Sequence, residues 1–365
     1  MAATLPEGNA APTHQEGAWG ETATPESPTT GAENMSRIPL GGQSPKPPGE
    51  GEHQVFSTQT AYAHGQTLGD ATLIKARRQW RVTLSTTHPA LEKAFAQAFL
   101  PLSLDGKIRK YPVQGGATPY KWILWTTIKP ETAKTLAIKG KQAIQLYANN
   151  KQLLAALTAG LIDTDGTIAL SIVKRKRLKY KPRFEPKVAI YSSDKEMLEA
   201  LRLSWNKYGI ILRLRKGRSP QLKRPWKGKL VVYELATYSY PMIIRFLTTI
   251  LPYMKHWEKI IKAKITIHHI IRNIKQPWNP HPIEQIRSKL EQWIKQQVQE
   301  YIKQAQQAYQ NKKAYIITPN GVIEKEVKRP MRKESSSNPL PFFHLIINTL
   351  IAYFLGLSIF SHLWL

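Results

Sequence analysis

The chain contains no cysteine. That absence excludes disulfide frameworks, thiolate zinc sites, iron–sulfur clusters and thiol nucleophiles, and any bound metal must be held by oxygen or imidazole. Acidic residues are scarce as well: 25 Asp and Glu stand against 53 Lys and Arg, a formal charge of +28. Seven of those acids are glutamates in the first 56 residues, opposed there by Arg37 and Lys46, so the other 309 residues carry +33. A field of this sign attracts a polyanion over long range. DNA, RNA and an anionic membrane surface are candidates, whereas an acidic small molecule needs only a few cations. Before Arg37 there is no basic residue and no apolar run, so the start of the chain reads as neither a secretory signal nor an Arg-rich transit peptide.

Residues 1–56 also have few large apolar side chains. Rich in Pro, Gly, Glu, Thr and Ser, they cannot bury enough surface to offset the entropy of ordering and are expected to form a disordered tail. The remaining length suits about two domains, and apolar periodicity is sustained from Ser57 to about Asn273. Two stretches in it share one pattern. In the clearer copy, residues 149–273, Asn149-Asn150 offers the cap of a helix over KQLLAALTAGLIDTDG (151–166). Strands Thr167–Val173 and Lys187–Tyr191 follow, then a helix from Lys195 to Lys207 stopped by Gly209, strands Ile210–Arg215 and Leu230–Ala236, and a last helix near Tyr240–Leu251. In the weaker copy, residues 57–148, superposing Asp70 on Asp165 also superposes Gly65 on Gly160 and Thr72 on Thr167 without a gap. Further on, Val82 matches Val188 and Thr87 matches Ser193. A repeat of this length points to two duplicated half-domains about a pseudo-twofold axis.

Beyond them, residues 283–313 show helical apolar spacing, which suits packing on the domain or binding a partner. Residues 335–365 carry no charge, and the 21 residues Leu345–Leu365 follow Lys328, Arg329, Arg332 and Lys333. By length this stretch suits a membrane segment, and by its Asn348, Gly356, Ser358 and His362 a docked or unordered tail.

The chemistry concentrates at Leu161-Ile162-Asp163-Thr164-Asp165-Gly166. Two carboxylates at a helix C-terminus oppose the helix dipole by some tenths of a kcal/mol each, so a cation should compensate. Oxygen-only ligation suits Mg²⁺ or Mn²⁺. Upstream, Ala155, Ala156, Ala159 and Gly160 make a side-chain-poor helix face, matched by Ala61 and Gly65 in the other copy, so two helices can approach closely and bring Asp70 and Asp165 together. The adjacent His268 and His269 lack further ligands and read as helix surface.

TAGLIDTDG, residues 158–166, resembles the LAGLIDADG motif of homing endonucleases, departing from it at Thr158 and Thr164. The resemblance covers residues 57–273 as a two-motif, single-chain member with a degenerate first motif, YAHGQTLGDAT. It implies an α+β fold of two pseudo-symmetric αββαββα half-domains, with motif helices packed at their interface and saddle-shaped antiparallel sheets laid over DNA. It also implies a monomer that cleaves both strands of a long duplex with a divalent metal, leaving short 3′ overhangs, in the cytoplasm or an organellar matrix. By motif position the metal ligands are Asp165 and Asp70, helped by the carbonyls of Thr164 and Gly69, while Asp163 caps the helix junction. Water-positioning residues fall on Ser193 or Asp194 and on Thr87. The family's basic, catalysis-assisting residue after the last strand–helix unit falls on Lys141 in the first copy, and the same register gives Trp257 in the second, where Lys255 and Lys259 stand beside it.

Basic residues recur at matching places in both copies: Lys75, Arg77, Arg78 and Arg81, then Lys174, Arg175, Arg177, Lys179 and Arg183. The hairpins add Arg109, Lys110 and Lys121, then Arg213, Arg215, Arg218 and Lys229. Arg213 and Arg215 are two apart and share a strand face, from which long cations reach phosphates and guanine edges. The alternatives are an intron maturase or a non-cleaving relative that grips intron RNA or DNA, and a homodimer built from residues 149–273 alone.

Overall fold

A computed structural model describes residues 56–76, 79–115, 118–173, 183–217, 231–275 and 281–327. The expected tail before Phe56, Arg77, Arg78, the Lys174–Lys179 run, Arg218, Lys229 and the apolar stretch 335–365 lie outside them. Among the described residues no helix is long and apolar enough to cross a membrane.

The first repeat runs α1 (Thr58–Leu68), β1 (Thr72–Ala76), β2 (Gln79–Thr86), α2 (Pro89–Phe99), β3 (Ile108–Gly115), β4 (Thr118–Ile128) and α3 (Pro130–Ala137), followed by α4 (Gly140–Tyr147). The second runs α5 (Lys151–Asp165), β5 (Gly166–Val173), β6 (Arg183–Ser192), α6 (Lys195–Lys207), β7 (Arg213–Lys216), β8 (Tyr233–Thr237) and α7 (Tyr240–Ile250), then a 3₁₀ turn at Leu251–Tyr253 and α8 (Trp257–Lys275). Each is αββαββα with one antiparallel sheet, ordered β1-β2-β4-β3 and β5-β6-β8-β7, so the first copy is a complete half-domain despite its degenerate motif.

Side-chain alternation divides each sheet. Val82, Leu84, Trp122, Leu124 and Ile108 are buried on one face of the first sheet, and Val188, Ile190 and Leu235 on that of the second. The opposite faces carry Arg81, Trp125 and Arg109 in the first, and Lys187, Glu234 and Arg213 in the second.

Asn150 caps α5 by accepting from the backbone N–H of Gln152 and Leu153, and Ser57 caps α1 from Thr60. Helix α5 is buried almost throughout, and it crosses α1 at Gly65 and Gly160, where an added Cβ would lie 2.1 Å from Leu157 O and 2.2 Å from Tyr62 O respectively. Glycine is required on both sides of that crossing. Residue 158, a departure from the motif, is Thr because its hydroxyl accepts from Trp205 Nε1 at 3.1 Å while donating to Leu154 O.

Beyond the last helix that the sequence predicts for the second repeat, near Tyr240–Leu251, α8 follows, its residues 257–275 continuing the core through Ala263 and Ile270. The amphipathic stretch is α9 (His281–Gln310), about 45 Å long at 1.5 Å per residue. It starts against the second repeat, with Arg287 near Leu170 O, and ends under the first sheet, where Trp122 Nε1 donates to Tyr301 O. The chain then forms an unforeseen hairpin, β9 (Lys313–Thr318) and β10 (Gly321–Glu326). β9 pairs with β3, placing Ile316 opposite Arg109, and extends the first sheet to six strands.

Candidate active site at the helix ends

The ends of α1 and α5 meet. An added Cβ at Gly69 would lie 2.9 Å from Asp165 Oδ2 and 2.1 Å from Thr164 Oγ1, so the carboxyl of Asp165 rests against the residue that precedes Asp70. Loss of hydration, then the negative charge of Asp70, pushes Asp165 well above the usual carboxylate range. Both acids retain partial exposure.

One lysine serves each helix end. Lys259, on α8, donates to the carbonyls of Ile162, Asp163 and Thr164 at 2.5, 2.9 and 3.0 Å. Burial lowers its pKa, and the charges of Asp163, Glu258, Asp70 and Asp165 oppose that shift. In the first repeat Lys139 donates to Thr67 O at 2.5 Å, and Thr67 stands to Ile162 as Asp70 stands to Asp165. Lys139 and Lys259 are therefore pseudo-symmetric mates, each placing an ammonium where the helix dipole is negative. Desolvation lowers Lys139 to about 8, although the residue as a whole is exposed.

The sequence register points to Lys141 and, beside Trp257, to Lys255 as well as Lys259. Lys141 is exposed in the first turn of α4. Lys255 turns away from the acid pair: its ammonium donates to Gln59 Oε1 at 2.8 Å and Gln97 O at 3.0 Å and lies over the ring of Tyr62. The 3₁₀ turn Leu251–Tyr253, which has no partner between α3 and α4, shifts the second repeat out of ungapped register.

Asp163 ties the junction together. Its Oδ2 accepts from Tyr62 Oη at 2.7 Å, from Lys255 N at 2.7 Å and from His256 N at 3.0 Å. The motif's first acid thus anchors the loop that delivers Lys259. Thr164 O, expected to help hold a metal, accepts from Lys259, and Thr164 Oγ1 bonds back to Gly160 O and Leu161 O at 3.1 Å.

Thr87 and Ser193 occupy equivalent turns at the ends of β2 and β6. His88 N donates to Thr86 Oγ1 at 2.9 Å, and Asp194 N to Ser192 Oγ at 3.1 Å. Asp194 then caps α6 by accepting from Met197 N. One other cluster of metal-ligand types occurs among the described residues, His88, His256 and Glu258. Ala90 N donates to His88 Nδ1 at 3.2 Å, which leaves the ring proton on Nε2 facing Glu258 Oε2 at 2.8 Å. His88 therefore offers a donor rather than a lone pair, and the trio clamps the two repeats. His269 packs edge-on against Phe184 at 5.0 Å.

The basic residues divide between faces. Arg81, Arg109 and Lys121 share the open face of the first sheet with Trp125. Lys75 pairs with Trp80 and so falls on the opposite face from Arg81. Lys110 also turns inward, ion-paired to Glu92 at 2.7 Å and stacked on Trp122 and Tyr301. On the second sheet Arg213 and Arg215 share the open face, Arg215 bound to Glu234 at 2.8 Å. Arg183 lies at the start of β6.

Residues 152–250 match the family model of the LAGLIDADG-like domain. No curated protein sequence matches the chain. Similar solved structures include mesophilic variants of the homing endonuclease I-DmoI, at 22% identity over 53% of this chain and 96% of that one, with a TM-score of 0.34. I-DmoI in complex with DNA and Ca matches at 20% identity over 53% and 89% of the two chains, TM-score 0.35. The homing endonuclease I-CvuI in complex with its target matches at 19% over 43% and 97%, TM-score 0.30. The motif of α5 lies within that match, so residues 152–250 of this chain form a LAGLIDADG-like domain.

Proposed function

We propose that the chain is a site-specific DNA endonuclease that uses a divalent metal to hydrolyse both strands of a long duplex, acting as a pseudo-symmetric monomer and leaving short 3′ overhangs. The observation that carries the reading is the meeting of Asp165 with the Gly69-Asp70 end of α1. Two carboxylates at two converging helix C-termini are electrostatically costly, and a hard cation offsets that cost.

The residues fit such an ion. The acids are oxygen donors with no sulfur or imidazole among them, and Asp165 is raised first by burial and then by the like charge of Asp70, the second of which a cation relieves. Asp70 and Asp165 would hold Mg²⁺ or Mn²⁺, which when bound lowers the pKa of water and neutralises charge on the attacked phosphate and departing 3′-oxygen. The protein's own groups do the rest. Lys139 and Lys259 keep positive charge beside each helix end, where it stabilises charge developing on the phosphate. Asp163 fixes the loop that carries Lys259. Thr87 and Ser193, at the tips of equivalent turns, supply hydroxyls to orient water. The open faces bearing Arg81, Arg109, Lys121, Arg213 and Arg215 supply the cations for phosphates and base edges.

The test is incubation of the purified chain with a randomised duplex library in Mg²⁺, in Ca²⁺ and in EDTA. Cleavage of a selected sequence in Mg²⁺ only, with binding kept in Ca²⁺, supports the reading. Tight binding of intron RNA with no duplex cleaved would replace it with the maturase alternative.

A further inference from the structure

Trp125 is the platform of a three-residue stack. It lies on β4 directly opposite Arg109 of β3 and Thr83 of β2, with Arg81 two residues along from Thr83 on the same face. The guanidinium carbons of Arg81 and Arg109, one from each flanking strand, both lie 4.5 Å from the indole ring centre. Arg109 is held further by Asp105 at 2.6 Å. Stacking fixes the guanidinium planes before any ligand arrives, so little side-chain freedom remains to be lost on binding. Arg81 Nε and Arg109 Nη1 are buried in the stack without a hydrogen-bond partner, so the side chains are held by packing on the ring. The planar guanidinium fork matches the O6 and N7 of guanine in the major groove.

The second sheet lacks this arrangement at the equivalent positions. Val188 pairs with Thr237 as Val82 pairs with Thr126, which puts Lys187 at the place of Arg81, Arg213 at that of Arg109 and Ala236 at that of Trp125. With alanine there, no ring organises the cations. Lys187 instead donates to Tyr191 Oη at 2.7 Å and lies 3.5 Å from Glu234, whose carboxylate also holds Arg215.

We propose that the Arg81–Trp125–Arg109 stack reads guanine in one half-site of the DNA target and that the symmetry-related position of the other half-site carries no such requirement. The inference rests on the DNA-binding reading above and assigns its base discrimination to one place.

The full chain is presented with a randomised duplex library in Ca²⁺, and bound sequences are read out. The wild type should enrich guanine in one half-site and not at the symmetry-related position. Trp125→Ala should lower that guanine preference at least tenfold and leave the other half-site unchanged, while Trp125→Phe, which keeps a ring, retains it. Arg109→Lys keeps the charge and removes the fork, so it should lose the preference while the salt dependence of binding stays as in the wild type. Thermal unfolding of each variant confirms that the fold is kept. Guanine preference unchanged in Trp125→Ala and in Arg109→Lys, or lost equally from both half-sites, would overturn the inference alone. Enrichment of no duplex sequence by the wild type would overturn the DNA reading and this inference with it.

Discussion

Gly65 and Gly160 face each other so closely that a Cβ built on either would lie 3.0 Å from the Cα of the other. That mutual contact sets the separation of α1 and α5, and with it the separation of the acids at their ends. Gly65→Ala or Gly160→Ala must push one backbone off the other. Overpacking of this kind costs about 1–3 kcal/mol, or more where backbone cannot move. Urea denaturation should show the loss, and any folded fraction should cleave slowly because Asp70 and Asp165 are displaced.

Lys139 and Lys259 should behave differently from Lys141 and Lys255. Removing one electrostatic donor from such a site costs roughly 10²- to 10³-fold in rate, so Lys259→Met should slow cleavage on that scale and let nicked circular plasmid accumulate. Lys139→Met should do the same for the other strand. Lys141→Met and Lys255→Met should stay near the wild-type rate.

Acid should destabilise the fold through His64. Its Nε2 donates to Ile138 O at 2.8 Å and its Nδ1 accepts from Tyr147 Oη at 3.0 Å, so the buried ring is neutral. Burial lowers its pKa to about 4 from the ordinary 6.5. Between these values the unfolded chain binds the proton that the folded chain refuses, so stability falls as pH drops through that window. The loss should approach about 3 kcal/mol. His64→Gln should flatten this part of the pH–stability curve, and an unchanged curve would remove His64 as the cause.

The strap helix α9 should be locked by Glu92. Lys110 and Tyr301 both bond to its carboxylate beneath Trp122. Glu92→Gln leaves the Lys110 ammonium without a counter-charge in a largely buried place, a change worth roughly 3 kcal/mol. The double variant Glu92→Gln with Lys110→Met should recover part of that loss in urea denaturation.

Much of this architecture was legible in the sequence because it is written in local signals. Asn150 and Gly166 bracket α5, and the glycine and acid spacing shared by the two copies exposed the duplication. The signals that failed were geometric. Lys259 could not be chosen over Lys255 without knowing that a 3₁₀ turn lengthens the second repeat. Lys110 and Arg109 are neighbours in a run of charge, yet strand alternation sends one inward and the other outward. The hairpin after α9 did carry a signal: Asn320-Gly321 between alternating residues favours a tight turn. Its pairing with β3, more than two hundred residues away, depends on where α9 delivers the chain.

The central claim is that Asp70 and Asp165 together hold the reaction. The most direct measurement is double-strand cleavage, in Mg²⁺, of the duplex that the wild type selects, by Asp165→Asn and by Asp70→Asn. Both variants should bind that duplex in Ca²⁺ and fail to cut both strands. Cleavage by Asp165→Asn at the wild-type rate would contradict the account.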